Sequence, residues 1–210
     1  FEHAARAFKA KKVTIVGMPV RKGIAPADRK AHAELRLLIF GGSQGARGIN
    51  QVVSEAIVHG GPWLESVQIV HQTGRLDFEA TEAKYKAAKV PAWVTVLPYL
   101  DDMDIRYQWA DVVVCRAGAS TVAELAAAQK CAVMIPFPFA SDQHQQKNAE
   151  SLVARDAGQM ILQKDFTVSR FISLIEEFKR NPHQIAKFEK NIAGFHRPEA
   201  AEFIAGQLLE

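Results

Sequence analysis

The chain has 210 residues, 48% of them hydrophobic, which is enough to bury a sizeable core as one large domain or one domain with appendages. Lys and Arg number 26 against 23 Asp and Glu, a formal charge of +3 spread along the sequence, and nothing in that balance asks for nucleic acid. No apolar run approaches a membrane span and no signal-peptide pattern is seen; Cys115 and Cys131 lie in apolar strand-like runs, where buried thiols in a reducing compartment are expected before a disulfide or a metal site.

In chain order, the first residue is Phe1 and not Met, so the sequence is expected to be a processed piece or the ordered remainder of something longer. Phe1 to Ala10 has helical composition. Val13 to Val16 reads as a short β-branched strand, closed by Gly17, Met18, Pro19, Val20 and Arg21. Arg21 follows a proline that fixes the backbone, and it is either a solvated side chain or a guanidinium aimed at a pyrophosphate. Lys22 to Ala33 is polar and irregular, the best linker candidate.

Leu35 to Phe40, apolar but for Arg36, fits the continuous Leu/Ile/Phe stretch that a strand buried on both faces of a parallel sheet presents. It stops at Gly41 and Gly42, and Ser43, Gln44, Gly45 and Gly48 lead into a helix from about Ala46. Strand, glycine turn and helix N-terminus together make a cradle for an anion such as a phosphate. There is no Gly-x-x-x-x-Gly-Lys-Ser/Thr and no Gly-x-Gly-x-x-Gly, which weighs against P-loop hydrolysis and ordinary dinucleotide binding. A glycine-rich turn with no ligand is the alternative.

Beyond the turn, the pattern predicts a helix to Val58, a strand Val67 to His71, a helix Leu76 to Ala88, a strand Val94 to Leu97 and a short helix Ile105 to Trp109. There follow a strand Asp111 to Cys115, a helix Ser120 to Gln129, a strand Cys131 to Pro136, a helix Gln143 to Asp156 and a short strand Met160 to Leu162. Phe166 to Leu209 holds three helical stretches, split near Asn181-Pro182 and His196 to Pro198. Alternation at this spacing implies crossover units and a doubly wound parallel sheet, in which ligands bind at the carboxyl ends of the strands.

Four strand-end loops are therefore candidates. The first is the glycine cradle. The second, Pro98 to Asp104, contains Asp102-Met103-Asp104, which spells an Asp-x-Asp metal motif but serves equally as helix N-cap and first-turn acids; capping is the favoured reading. The third, Arg116 to Glu124, is another glycine turn opening a helix, with Ser120 or Thr121 as cap. There Glu124 either accepts two hydrogen bonds from vicinal hydroxyls of a ribose or simply suits a helix start electrostatically. The fourth, Pro136 to Ala149, crowds Asp142, His144, Gln145 and Asn148 at a helix start, groups suited to a sugar.

Gly41 to Arg47, Tyr99 to Met103, Ala110-Asp111, Arg116 to Glu124 and Asp142 to Ala149, in that order and spacing and over about the whole chain, resemble the MurG family. These are bacterial transferases that add N-acetylglucosamine from UDP-N-acetylglucosamine to lipid-linked muramoyl pentapeptide, converting lipid I to lipid II in peptidoglycan synthesis. The resemblance implies one half of an inverting GT-B glycosyltransferase, a Rossmann-like α/β domain that holds the donor. It divides the chain into an incoming helix, strand and linker over 1–33, a UDP-sugar-binding domain over 34–165, and C-terminal helices over 166–210 that pack on it or cross from it.

It also implies roles for individual residues. Gly42, Ser43 and Gln44 would meet the diphosphate, with Arg21 near it and Thr121 close to the phosphates. The backbone around Leu100 would read the uracil edge, Glu124 would take the ribose hydroxyls, and Gln145, with His144 and Asn148, would address the acetylglucosamine hydroxyls. No metal or other cofactor is implied, which removes the motive for reading Asp102 and Asp104 as ligands. Met18 stands where the family often has Asn, and Ala117 where it often has Ser; altered hydrogen bonding is expected there.

The acceptor site, the catalytic base and the membrane-docking patch are expected in an N-terminal domain outside this sequence. The chain alone is thus expected to bind donor without transferring sugar, and to work at the cytoplasmic face of the bacterial inner membrane, touching the membrane indirectly. The alternatives are a related GT-B glycolipid transferase and a non-catalytic UDP-sugar-binding subunit acting with a separate membrane-associated partner.

Overall fold

A computed structural model describes residues 13–27 and 33–209. Six strands form one parallel sheet: β1 (Leu35–Phe40), β2 (Val67–Gln72), β3 (Val94–Leu97), β4 (Val112–Cys115), β5 (Cys131–Met134) and β6 (Gln159–Met160). Their spatial order is β3-β2-β1-β4-β5-β6. The chain winds outward from β1 to β3, then crosses back to lay β4 on the other side of β1. The order therefore reverses between β1 and β4, where Phe40 lies opposite Cys115, and the loops leaving these two strands diverge around a crevice.

The helices between strands are α1 (Arg47–His59), α2 (Arg75–Ala87), α3 (Met103–Trp109), α4 (Ala119–Ala128) and α5 (His144–Val153). After β6 come α6 (Val168–Arg180), α7 (Pro182–Ile192) and α8 (Ala200–Leu209). Alternate residues of the central strands point to opposite faces. Leu37, Ile39, Val112, Val114 and Val133 join Val53 and Ile57 of α1, Phe171 and Phe178 of α6 and Phe188 of α7 in one layer of core. Leu38, Phe40, Val113, Cys115 and Met134 join Met103 and Tyr107 of α3, Leu125 of α4 and Leu152 of α5 in the other. Covering both faces is what makes β4, and β1 apart from Arg36 near its start, read as apolar runs.

Element boundaries agree with the sequence reading to within a few residues, with specific corrections. Val13 to Val16 is not a strand: Val13 and Ile15 are 42% and 48% exposed, and with no strand beside them among the described residues to complete a ladder the β-branched residues stay irregular. β5 stops at Met134, before the Pro136 that cannot donate to a ladder, and β6 is Gln159–Met160 instead of Met160 to Leu162. α5 begins at His144 after a 3-10 turn over Ser141–Gln143. In the C-terminal run the Thr167 hydroxyl caps α6 by accepting from Arg170 N at 3.2 Å, and Pro182 opens α7 where its missing N–H costs nothing. The reading of Phe1 to Ala10 lies outside the described residues, as does part of the Lys22 to Ala33 linker. No helix among the described residues is long and apolar enough to cross a membrane.

Candidate ligand site at the carboxyl edge of the sheet

The turn after β1 is held from three sides. Gly45 N donates to Gly42 O at 2.9 Å, closing the turn, and Gln72 at the end of β2 donates through Nε2 to Gly42 O (3.1 Å) and to Pro98 O (3.2 Å). Gly45 has φ +80°, and a side chain there would run into the Thr73 carbonyl oxygen. Gly42 has φ +91° but faces open space, and it is exposed together with Ser43 and Gln44. The three residues assigned to a diphosphate thus form the outer lip of a turn whose inner side is anchored, and α1 begins just behind them at Arg47.

Beneath that turn lies a buried polar network. His71 of β2 meets Tyr85 Oη through Nδ1 (2.9 Å) and Asn50 Oδ1 through Nε2 (3.3 Å). Asn50 Nδ2 donates to Thr73 O and to Asp77 Oδ2, both at 2.7 Å. The Asn50 oxygen must then accept, which places the histidine proton on Nε2 and makes Tyr85 the donor to Nδ1. Burial pushes His71 down to about 3 and raises Tyr85 well above the usual phenol range. The network locks α1 and α2 to β2 and so fixes the Thr73 carbonyl against which the glycine turn rests.

The loop after β4 opens α4 with Gly118 in the N-cap position and no side-chain cap, so neither Ser120 nor Thr121 caps the helix. Thr121 is half-buried in its first turn. Glu124 lies in the second turn, not the first, so the helix-start reading of its charge falls away. Its side chain is 15% exposed, and both of its oxygens have partners. Oε1 accepts from Arg21 Nε (3.2 Å) and Nη2 (3.1 Å), and Oε2 accepts from the Tyr107 hydroxyl (3.1 Å). Arg21 is therefore more than a solvated side chain: it sits on the carboxylate proposed for the ribose. Leu100 buries its side chain in the same apolar cluster as Phe40 and Tyr107, leaving its backbone as what it can offer a ligand.

At the fourth loop the structure divides the sugar candidates. Asn148 is buried, and its Nδ2 donates to Ala117 O at 2.9 Å, so it braces the third loop. Gln145 Oε1 accepts from Ala117 N (3.3 Å) and Phe137 N (3.0 Å), tying the third and fourth loops together and leaving Nε2 as its group for a ligand. His144 is exposed; Nδ1 meets the Ser141 carbonyl at 2.8 Å, so Nδ1 is the donor there and Nε2 is left as its group for a ligand. Ahead of it, Asp142 and Gln143 adopt successive left-handed conformations, φ +50° and +54°, a strained approach to α5.

Two residues with no role assigned from sequence now stand out. Arg116, 9% exposed, donates through Nη1 to Ile135 O (3.0 Å) and Pro136 O (3.2 Å) and through Nη2 to Gln163 Oε1 (2.7 Å), with Phe137 stacked 5.3 Å away. Burial lowers it to about 10, still protonated at neutral pH, so it is a cation fixed at the crevice by neutral acceptors. Tyr107 is the second. The only sequence signal for Arg116 was a charge ending an otherwise apolar strand, and for Tyr107 there was none. Asp102 occupies the N-cap position of α3 but makes no capping bond; it pairs with Arg106 at 2.9 Å, and Asp104 lies in the first turn.

The family described as glycosyltransferase family 28 C-terminal domain matches residues 36–204. Among curated relatives, the protein of Bdellovibrio bacteriovorus named UDP-N-acetylglucosamine--N-acetylmuramyl-(pentapeptide) pyrophosphoryl-undecaprenol N-acetylglucosamine transferase is 43% identical over all of this chain and 58% of its own. Its namesake in Myxococcus xanthus is 39% identical over 98% of this chain and 54% of its own. The crystal structure of Acinetobacter baumannii MurG superposes with a TM-score of 0.77 at 32% identity, covering 96% of this chain and 57% of that one. The chain thus spans little more than half the length of these relatives.

Proposed function

Because the chain belongs to glycosyltransferase family 28 through its C-terminal domain, we propose that it is the UDP-N-acetylglucosamine-binding half of a peptidoglycan transferase. The observation that carries this reading is the pairing of two unlike recognition elements on adjacent strands. The exposed N–H-rich lip of the turn after β1 suits a diphosphate, and the half-buried Glu124 after β4 suits vicinal hydroxyls. Strand neighbours lie about 5 Å apart, so the two loops can address the two ends of one nucleotide.

In this reading Gly42, Ser43, Gln44 and Thr121 hold the diphosphate, the backbone at Leu100 meets the uracil, and Gln145 Nε2 with His144 Nε2 meets the sugar. Asn148 acts by holding the loop that carries them. Ribose hydroxyls displace Arg21 from Glu124 Oε1, and the released guanidinium turns to the diphosphate. Charge building on the leaving diphosphate is met by helix N-termini and arginine, so no metal is required. The transferase would act on a lipid-linked muramoyl pentapeptide at the cytoplasmic membrane face, with acceptor, base and membrane contact supplied by a second domain.

Calorimetric titration of the chain with UDP-N-acetylglucosamine, UDP-N-acetylgalactosamine, UDP and ADP, with and without magnesium, tests the proposal. The expected outcome is saturable, magnesium-independent binding of the uridine ligands, strongest for the glucosamine epimer. Absence of binding by the folded chain, or equal binding of ADP, overturns it.

A further inference from the structure

We propose that Tyr107 is a positioning residue of the nucleotide site: it holds Glu124 so that Oε1, and not Oε2, is the oxygen offered to the ribose. The inference rests on the donor-site reading above and assigns a function to a residue that no ligand would touch. Tyr107 is fully buried in α3, and its ring stands edge-on to Phe40 at 6.2 Å, the residue immediately before the glycine turn. A carboxylate accepts only, so the phenol is the donor to Oε2. The partner of Oε1 is of the opposite kind, since the Arg21 side chain is 59% exposed and reaches Glu124 from a segment outside the regular fold.

One carboxylate oxygen is thereby tied to an immobile interior donor and the other to a surface cation that a ligand can displace. The last torsion of a glutamate is broad and nearly two-fold, so without the interior bond the carboxylate has no preferred plane. Burial and the neighbouring Glu124 charge hold the Tyr107 phenol well above the usual range, so it is a protonated donor at neutral pH. A hydroxyl placed there serves direction, because packing alone would be met as well by phenylalanine.

The test compares UDP with 2′,3′-dideoxyuridine diphosphate by calorimetry, on wild type, Tyr107→Phe and Arg21→Ala. Wild type should prefer UDP by about tenfold, as expected for hydrogen bonds to a charged acceptor. In Tyr107→Phe that preference should shrink to about threefold or less, while affinity for the dideoxy ligand changes less than about twofold, the pattern of a coupled pair. Arg21→Ala should weaken both ligands by a similar factor and leave the preference at least as large. An undiminished preference in Tyr107→Phe, or an equal loss for both ligands, reduces Tyr107 to packing and overturns the proposal. Loss of the preference in Arg21→Ala names Arg21 as the orienting group instead. If wild type itself shows no preference, the ribose reading of Glu124 fails and the proposal falls with it, an outcome read from wild type alone.

Discussion

Glu124 is the side chain on which the nucleotide reading depends most. Glu124→Ala should weaken UDP binding by roughly 1 to 3 kcal/mol through lost charge-assisted hydrogen bonds, and should lower the melting temperature without unfolding the domain, because the buried Tyr107 hydroxyl loses its acceptor while the exposed Arg21 side chain loses little. Gln145→Ala should bring the glucosamine and galactosamine epimers close to parity in competition titrations, with UDP affinity changed by less than about threefold. An unchanged epimer ratio would confine Gln145 to tying the two loops. His71 makes the fold pH-sensitive. Its folded pKa of about 3 lies below the ordinary 6.5, so below pH 6.5 the unfolded chain takes up a proton that the native state refuses. Stability is whole above that range and falls by up to about 1.4 kcal/mol per pH unit down to pH 3 from this group. Urea titrations at pH 7, 6 and 5 should show that slope reduced in His71→Gln. Serine, threonine and glutamine at strand ends were legible as candidates because residue type and local pattern announce them. Their partners within the fold are not legible in this way: Arg21 and Glu124 are 103 positions apart, Tyr107 and Glu124 17, and only the crossover of the sheet brings them together.

The elements were read with most success where one physical cause dominates. β4, and β1 but for Arg36, declare themselves as apolar runs because helices cover both sides, and the glycine turn declares itself because positive φ selects glycine. Val13 to Val16 failed for the complementary reason, since β-branched composition favours a pleated surface only where a neighbouring strand supplies one. The two glycines of the cradle should separate backbone strain from collision. Gly42→Ala places a methyl in open space and should cost about 1 kcal/mol, while Gly45→Ala meets the Thr73 carbonyl as well and should cost roughly 2 to 4 kcal/mol, displacing the turn. Equilibrium unfolding of the two variants beside UDP titration checks this: equal losses would mean that the turn relaxes around either methyl. The hand-over from β5 to α5 was beyond composition, because two successive non-glycine residues at positive φ follow from what the loop must reach and not from their own preferences.

At the level of the whole molecule, the order of strands was the largest piece that no local pattern could carry, since alternation specifies crossovers but not the side on which the chain returns. The same is true of the C-terminal helices. Phe171, Leu174, Ile175 and Phe178 of α6 and Phe188 of α7 share one apolar layer with Ile39, Val53 and Val133, so these helices complete the core under β1. A chain ending at Phe166 should therefore lose near-ultraviolet circular dichroism and bind a hydrophobic dye while keeping much of its far-ultraviolet signal; a native-like spectrum would show that the sheet holds without them. The two thiols sit in this sheet as a matched pair of a different sort. Cys115 belongs to the layer beneath α3, α4 and α5, Cys131 to the layer beneath α1, α6 and α7, and burial holds the Cys115 thiol up at about 12. Each stays silent to an alkylating reagent until its own layer opens, so the chain carries two internal clocks. The ratio of their labelling rates reports whether the two halves of the protein breathe together or one before the other.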